Sequence, residues 1–509
     1  MRVVFVTSGL EHLGIEALAA VVRAKGHEPK VVYEPRPFSS GSGTDSALLS
    51  RLLDPTPEQT AARVVALRPD VVAFTSYSVT HRWAVDVARA VKRTRRVPIV
   101  FGGQHVGSLP ERSVQEWSID AVVEGEGELP LLDLLDCAET SDFGRSDIAN
   151  VTVKGPHGPI RNRPRGLIQD LDALPWPDKS GFYDEVPALE RELYIVARRG
   201  CPYRCSFCEY SQFPQQYPDE KKSVRRRSVE NVIGELRHWK ARGKVRKVFF
   251  WDPIFTLDAR WVAEFADAYP REIGIPYECY THPSTMTRDM ARYLGQSGCI
   301  MVRVGVQSVN SDTLAAVERR GDRERVKQAL EYLAEFDVPY SVDHIIGLPG
   351  EGAADQVEAL RFYNEVRPRR IVAHWMTYFP GTTAFEQART NGLLSPGDVE
   401  RILNGDIGPG YMFGGNSNYE LRDDAALRRL SGVFDLLPVL PKGAITWLLD
   451  HEVYPHVATQ SLLKQVGALA LAVQGEPATR EHVRHIFSTL VGGVSASLSR
   501  SRRNALLAT

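Results

Sequence analysis

Residues 199 to 208 read Arg199-Gly200-Cys201-Pro202-Tyr203-Arg204-Cys205-Ser206-Phe207-Cys208. The stretch gathers three of the chain's six cysteines at C-x3-C-x2-C spacing. Thiolates are the soft ligands that iron–sulfur clusters and zinc select. A structural zinc site wants four ligands, usually as two knuckle pairs. Three thiolates in one short loop point instead to a cubane with one iron left open. An open iron can chelate a small molecule through an amine and a carboxylate. Buried thiols that only pack are the plainer alternative. Just before the loop, Tyr194-Ile195-Val196-Ala197 reads as a strand feeding it.

Beyond the loop, strand and helix patterns alternate about six times, with strands expected at 193–198, 246–251, 276–280, 300–306, 339–345 and 370–376. A helix from Ser228 to Arg242 is capped by Ser228 and opens its apolar face with Val232-Ile233. Six such units make a partial (β/α)6 barrel, TIM-like, whose site lies at the carboxyl ends of the strands. The cysteine loop follows the first of these strands. The later ends carry Trp251-Asp252-Pro253, Gly305-Val306-Gln307-Ser308, Ile345-Ile346-Gly347-Leu348-Pro349-Gly350-Glu351 and Tyr378-Phe379-Pro380-Gly381-Thr382. A carboxylate such as Asp252 is apt for an ammonium group, although an aspartate at a turn or helix start is common.

Upstream, residues 1–136 alternate short β-branched runs with helices, which predicts a Rossmann-like, doubly wound parallel sheet. Strands are expected at Val3 to Thr7, Lys30 to Tyr33, Asp70 to Thr75, Pro98 to Phe101 and Asp120 to Val123, with a helix from about Leu13 to Lys25. Ligands of such sheets sit beyond the carboxyl ends of the strands. There the chain carries Gly9-Leu10, Thr75-Ser76-Tyr77-Ser78, Gly102-Gly103-Gln104-His105 and Glu124-Gly125-Glu126-Gly127-Glu128, a small, hydroxyl-rich floor. No G-x-G-x-x-G fingerprint or Walker loop is present. Residues 137–190 read as an irregular linker and a turn-rich strap, 191–390 as the barrel, and 391–509 as a helical carboxyl-terminal domain. In that last part, helices are expected at 423–436, 442–449, 460–473 and 480–491, and Tyr411, Phe413, Tyr419 and Trp447 are candidate cavity aromatics.

A chain of 509 residues exceeds one core, so several domains are expected. With 43% hydrophobic and 25% charged residues the composition is that of an ordinary globular protein. A net charge of -1 argues against a broad nucleic-acid-binding surface, so no nucleic-acid partner is expected. Few, clustered cysteines fit a reducing cytoplasm rather than a disulfide scaffold. Met1-Arg2 runs straight into Val3-Val4-Phe5-Val6, so no signal peptide is expected, and no apolar run reaches the length of a membrane span.

With Phe207 just before its third cysteine, the loop resembles the signature of the radical S-adenosylmethionine (SAM) enzymes. Residues 1–136 resemble the cobalamin-binding domain that precedes many of them, through the Thr75-Ser76 hydroxyls, the Gly102-Gly103 pair and the Gly125-Glu126-Gly127-Glu128 run. The D-x-H-x-x-G motif, whose histidine ligates cobalt in the methionine-synthase type, is absent, so no histidine is expected below cobalt. The resemblance implies a [4Fe-4S] cluster on Cys201, Cys205 and Cys208. It implies SAM contacts from Phe207, Asp252, Gln307, Ser308, Ile346 and Gly347. It implies cobalamin contacts from Thr75, Ser76, Tyr77, Gly102, Gly103, His105, Glu124 and Gly125.

The activity so implied is C-methylation of an unactivated carbon of a small metabolite, through a 5′-deoxyadenosyl radical and methylcobalamin. Flavodoxin or ferredoxin would donate the electron. Alternatives are an oxidative cyclase or rearrangement enzyme that keeps both cofactors without methyl transfer, and a non-catalytic corrinoid-binding protein. The related methylthiotransferases carry cysteines in their amino-terminal domain; here none precedes Cys137.

Overall fold

The computed structural model describes residues 1–36, 50, 54–139, 147–212, 217, 223–406 and 424–453. The first sheet contains β1 (Arg2–Ser8), β2 (Glu28–Glu34), β3 (Val71–Thr75), β4 (Ile99–Gly102), β5 (Ala121–Val123), β6 (Val151–Gly155) and β7 (Gly158–Arg161). Their order is β2-β1-β3-β4-β5-β6-β7, parallel through β5 and antiparallel for the last two. Side chains of β1 alternate between two cores. Val4 and Val6 enter the layer under the helices Pro57–Ala66 and His81–Thr94, while Val3 and Phe5 enter the core shared with the rest of the chain.

The winding reverses between β1 and β3, so the crevice of this sheet opens there. Residues 151–161, read from sequence as irregular linker, are instead the antiparallel extension of the sheet. Val151-Thr152-Val153 is fully buried and pairs with Val123-Val122-Ala121, and Gly155 pairs with Gly158 across the tight turn to β7. The Gly and Pro residues of this stretch mark that hairpin, not a break in the fold.

The strap folds back over the first domain. Its Lys179 is fully buried and forms an ion pair with the equally buried Glu16 of the helix Leu13–Ala24. Next, β8 (Glu192–Ile195) opens the second sheet, and the short strands β9 (Arg198–Arg199) and β10 (Arg225–Arg226) pair antiparallel beside it. The other barrel strands are β11 (Lys247–Phe250), β12 (Tyr277–Thr281), β13 (Cys299–Gln307), β14 (Tyr340–Ile346) and β15 (Arg370–Trp375). Their order is β15-β14-β13-β12-β11-β8, all parallel. Chain neighbours are therefore sheet neighbours, as repeated strand–helix crossovers require. Because β8 and β15 are the two edges, the barrel is open.

Ser228 caps the helix Val229–Lys240 by accepting the Asn231 N–H at 3.1 Å. The helix Asp424–Leu436 packs on β15 and on the helix Ala353–Val366, and Lys442–Asp450 packs beside it. The helices expected at 460–473 and 480–491, with Tyr411, Phe413 and Tyr419, lie outside the described residues. Trp447 is 56% exposed and stacks on His451.

Candidate active site between the cysteine loop and the first sheet

The cysteine loop leaves β8 through a turn that only glycine fits. Gly200 has φ +88, and a Cβ there would lie 2.3 Å from the Ser223 carbonyl oxygen. Ser206, in the middle of the loop, donates its N–H to Val317 O and accepts the Ala384 N–H, both at 2.9 Å. Cys208 donates its N–H to Cys205 O at 3.0 Å. Burial pushes the Cys208 thiol up to about 12, with the neighbouring Cys205 and Cys201 adding to it, and raises Cys201 for the same reasons. Three thiols packed this closely resist ionising alone, whereas a bound metal cation deprotonates a coordinating thiol outright. A structural zinc site wants four ligands, and the loop supplies three thiols. A cubane takes one thiolate per iron, so the donor set fits it.

Around the loop the strand ends fall as follows. Asp252, just past β11, is 1% exposed, and its Oδ2 accepts the Ala197 N–H at 3.3 Å while Oδ1 has no partner. Burial raises its carboxyl to about 7. An orphaned buried acceptor beside the cysteine loop fits an ammonium donor. Gln307 ends β13 with φ +70, and its amide curls back over Gly305. Ser308 is buried, donates to Glu351, and accepts the Asn310 N–H at 3.0 Å, so its hydroxyl is turned into the fold. Along β14, Asp343 and Ile345 are half-buried while His344 and Ile346 are buried. Ile346 belongs to the core under the helices, and Ile345 joins the apolar cluster at the strand tops that also takes Phe207, Leu348 and Tyr378. The side chain placed toward the site is thus Ile345, not Ile346, because strand parity alternates by one. Gly347 follows with φ +81.

Sequence reasoning passed over two further residues. Arg319 Nη1 donates to Cys205 Sγ at 3.5 Å, and its other amino group donates to Gly305 O. Asp343 pairs in register with Gly305 and carries a carboxyl raised by burial to about 6. An arginine shortly after a strand-end Gln-Ser is the signal that was available for the first; the odd parity of β14 is the signal for the second.

On the first sheet, hydroxyls and imidazoles form pairs below the floor. Thr75 Oγ1 meets His12 Nε2 at 2.8 Å, Ser76 Oγ meets His81 Nδ1 at 2.8 Å, and Ser78 Oγ meets His105 Nδ1 at 2.9 Å. His12 Nδ1 also accepts the Ile15 N–H, capping the helix Leu13–Ala24, so both its ring nitrogens are committed. Burial lowers His12 and His81 to about 4 and His105 well below its usual range. His105 is 1% exposed and stacks on His81 at 4.1 Å, so it supports the floor from beneath. The three imidazoles were not legible as a set, since His12 and His105 meet hydroxyls of another loop and only His81 meets one of its own segment.

The floor itself is apolar. Leu10, Tyr77 and Val79 stand 51%, 37% and 38% exposed on the loops after β1 and β3, at the point where the winding reverses. Grouped exposed apolar side chains in a crevice mark a ligand site, and a flat corrin fits it. Gly102 and Gly103 close the floor. Gly103 has φ +103, and a Cβ there would come within 2.8 Å of both Ser76 N and Ser76 O. Gly103→Ala should therefore displace the loop at a cost of about 1–3 kcal/mol. Corrinoid retention, read from the visible spectrum after anaerobic loading, should fall roughly tenfold or more.

The fifth strand end is built differently from the sequence expectation. Both Glu124 oxygens are engaged, one by Thr152 at 2.8 Å and the other by Arg161. Glu124 is thus a strut of the antiparallel extension, not part of the floor. Gly125 (φ +69) lies under the Tyr217 ring, whose hydroxyl accepts the Glu126 N–H at 3.1 Å. Glu126 and Glu128 then reach across to Arg199, at 2.9 and 2.5 Å.

The two halves face one another. Arg199, two residues before Cys201, is held by Glu126 and Glu128 of the first domain, and Arg112 of that domain donates to Glu400 beyond the barrel. Burial raises the Glu209 carboxyl to about 7. A thiolate loop at the mouth of an open parallel barrel, set against the switch-point crevice of a second sheet, defines an enzyme that joins a cluster to a large planar cofactor.

The comparisons with known proteins agree. The "Radical SAM superfamily" model matches residues 195–363, and the "B12 binding domain" model matches residues 1–135. The chain thus carries a B12-binding domain followed by a radical SAM domain. It is 28% identical to an uncharacterized methyltransferase of Pyrococcus horikoshii over 396 residues, 75% of this chain and 79% of that one. It is 24% identical to the anaerobic magnesium-protoporphyrin IX monomethyl ester cyclase of Rubrivivax gelatinosus, over 75% of this chain and 68% of that one. Among solved structures, the cobalamin-dependent radical SAM enzyme OxsB shares the fold at TM-score 0.66 and 13% identity, over 100% of this chain and 81% of that one. Among the described residues, no helix is long and apolar enough to cross a membrane.

Proposed function

We propose that this protein is a cobalamin-dependent radical SAM C-methyltransferase that acts on an unactivated carbon of a small metabolite. The observation that carries the reading is the bridge from Glu126 and Glu128, at the end of the fifth strand of the first sheet, to Arg199, two residues before Cys201, which sets the cysteine loop against that sheet. When bound, the cluster, SAM and cobalamin supply reductive cleavage of SAM to a 5′-deoxyadenosyl radical and a methyl carrier. Curated relatives named as methyltransferases support transfer of a methyl group.

In this reading Cys201, Cys205 and Cys208 hold the cluster. Asp252 accepts the SAM ammonium through its orphaned Oδ1, and the Arg319 guanidinium, beside Cys205, meets the carboxylate. Gln307 and Asp343 receive the ribose hydroxyls, and Ile345, Gly347 and Phe207 border the adenine. Tyr77, Gly102 and Gly103 form the corrinoid floor, with Thr75, Ser76 and His105 supporting it from beneath. Leu10, Val79 and Tyr210 keep water from the cleft between the cofactors. A flavodoxin or ferredoxin in the cytoplasm supplies the electron. The cyclase relatives favour one second reading, ring closure without methyl transfer.

Anaerobic reconstitution with iron, sulfide and cobalamin tests both. A substrate mass gain of one methylene, with S-adenosylhomocysteine formed, supports methyl transfer. Loss of hydrogen from the product without S-adenosylhomocysteine supports the cyclase.

The Asp252 assignment has a pH signature. Its carboxyl is raised to about 7 by burial, so it is largely protonated below that pH and ionises above it. Only the ionised form attracts the ammonium, so the KM for SAM should fall as pH rises from about 6 to 8. Asp252→Asn should raise that KM by about tenfold and flatten the profile, since a charged hydrogen bond contributes about 1.5–3 kcal/mol.

A further inference from the structure

A chain of buried polar groups runs from the end of β13 to the helix Asp424–Leu436. Ser308 Oγ donates to Glu351 Oε1, and the other Glu351 oxygen accepts Gln356 Nε2 at 3.0 Å. Gln356 Oε1 takes His344 Nε2–H at 2.8 Å, and His344 Nδ1 lies 3.0 Å from the Tyr363 hydroxyl. This order fixes the tautomer: Nε2 carries the hydrogen, and Nδ1 accepts from the phenol. The His344 ring stacks on Phe434 of the helix Asp424–Leu436 at 4.8 Å. Ser308, Gln356, His344 and Tyr363 are at most 1% exposed. A second strut runs alongside, with Asn310 Nδ2 donating to Asp355 Oδ1 at 2.8 Å and Gly352 N–H donating to Asp355 Oδ2 at 2.9 Å.

The chain ends one residue from Gln307, a non-glycine residue at φ +70. That backbone region costs an ordinary residue roughly 1–2 kcal/mol, so something must hold it. The Ser308 hydroxyl is the handle that does, because one of its partners is Glu351 and the other is the Asn310 N–H of the same turn.

We infer that Glu351, Gln356 and His344 are positioning residues that act through Ser308 to hold the Gln307 turn, and with it the SAM site, in register with the helix Asp424–Leu436. This rests on the reading of that site as a SAM site. None of the three touches SAM; Ser308 serves it by orientation rather than by contact. Removing any link leaves buried donors or acceptors unpaired and frees the turn to relax. The larger effect falls on binding, since the cysteine loop also has its own backbone anchors at Val317 and Ala384.

The test compares Ser308→Ala, Ser308→Thr, Glu351→Ala, Gln356→Leu and the Ser308→Ala/Glu351→Ala pair in full-length protein carrying its cluster. SAM affinity is read by calorimetry, KM and kcat by SAM consumption, and iron by colorimetry. The single Ala and Leu variants should weaken SAM binding by about tenfold, as loss of outer-shell support does elsewhere, with kcat and iron content retained. Ser308→Thr should restore binding, and the double variant should be no worse than its singles. Unchanged SAM affinity, or a joint fall of KM-independent rate and iron content, would overturn the relay. A wild-type protein that binds no SAM would instead overturn the underlying site, and the relay with it.

Discussion

Replacing Cys201, Cys205 or Cys208 with alanine should abolish cluster assembly: iron and sulfide fall to trace levels and SAM cleavage falls to background. The loop offers three sulfurs, each suited to one iron, and the fourth iron is the one left for SAM. Two remaining thiolates cannot keep a cubane that three already hold at the limit. Substituting serine should not rescue it, because a hard hydroxyl is a poor exchange for a soft thiolate. Corrinoid loading provides the internal control. The floor formed by Leu10, Tyr77 and Gly103 sits on a different sheet, so the variants should still take up cobalamin and show its visible spectrum. Cys137, Cys279 and Cys299 are buried in a helix and two strands away from the loop, and serine at Cys137 should leave iron content unchanged. A Cys205→Ala protein that retained its cluster and cleaved SAM would refute the assignment.

Much of this site could be read without coordinates because its parts sit where backbone topology must put them. A cysteine loop after one strand and polar residues after the next ones are local signals, and the six barrel strands lie within three residues of their expected bounds. What sequence did not convey is direction and partnership. Ile345 and Ile346 are neighbours of equal chemistry, and only the pairing of β14 with β13 and β15 tells which one points to the site. Glu124 looks like a floor carboxylate until Arg161, thirty-odd residues on, is brought beside it by an antiparallel turn. Ser308 looks like a ligand-binding hydroxyl until Glu351 folds over it. Side chains with several chemically sensible partners are decided by tertiary packing, whereas strand order is decided by pattern.

The Gly125-Glu126-Gly127-Glu128 run shows the same division at its largest scale, and it carries the strongest expected effect on stability. Its glycines admit close neighbours, Tyr217 over Gly125 and Leu18 against Gly127. Its carboxylates face the barrel. Glu126 Oε1 accepts Arg199 Nη1 at 2.9 Å and Arg225 Nη1 at 2.8 Å, while Oε2 accepts the Ile168 N–H at 2.9 Å. The Arg225 side chain is only 4% exposed. Glu126→Ala would leave that guanidinium buried without its counter-charge, and breaking a buried pair from one side costs about 3–5 kcal/mol. The exposed pair Arg112–Glu400, with side chains 42% and 59% exposed, joins the first domain to the helix Pro396–Leu403 beyond the barrel. Glu400→Ala should cost less than about 1 kcal/mol. Thermal unfolding should therefore shift by roughly 5–15 °C for Glu126→Ala and by a degree or two for Glu400→Ala. The consequence reaches the chemistry because Arg199 directly precedes Gly200 and Cys201. With Glu126 gone, Arg199 keeps only Glu128, and the cysteine loop is held less tightly at its distance from the corrinoid floor. Glu126→Ala protein kept below its lowered midpoint should retain iron and corrinoid yet transfer methyl groups more slowly than it cleaves SAM. If the two rates fell in proportion, the latch would matter for folding alone.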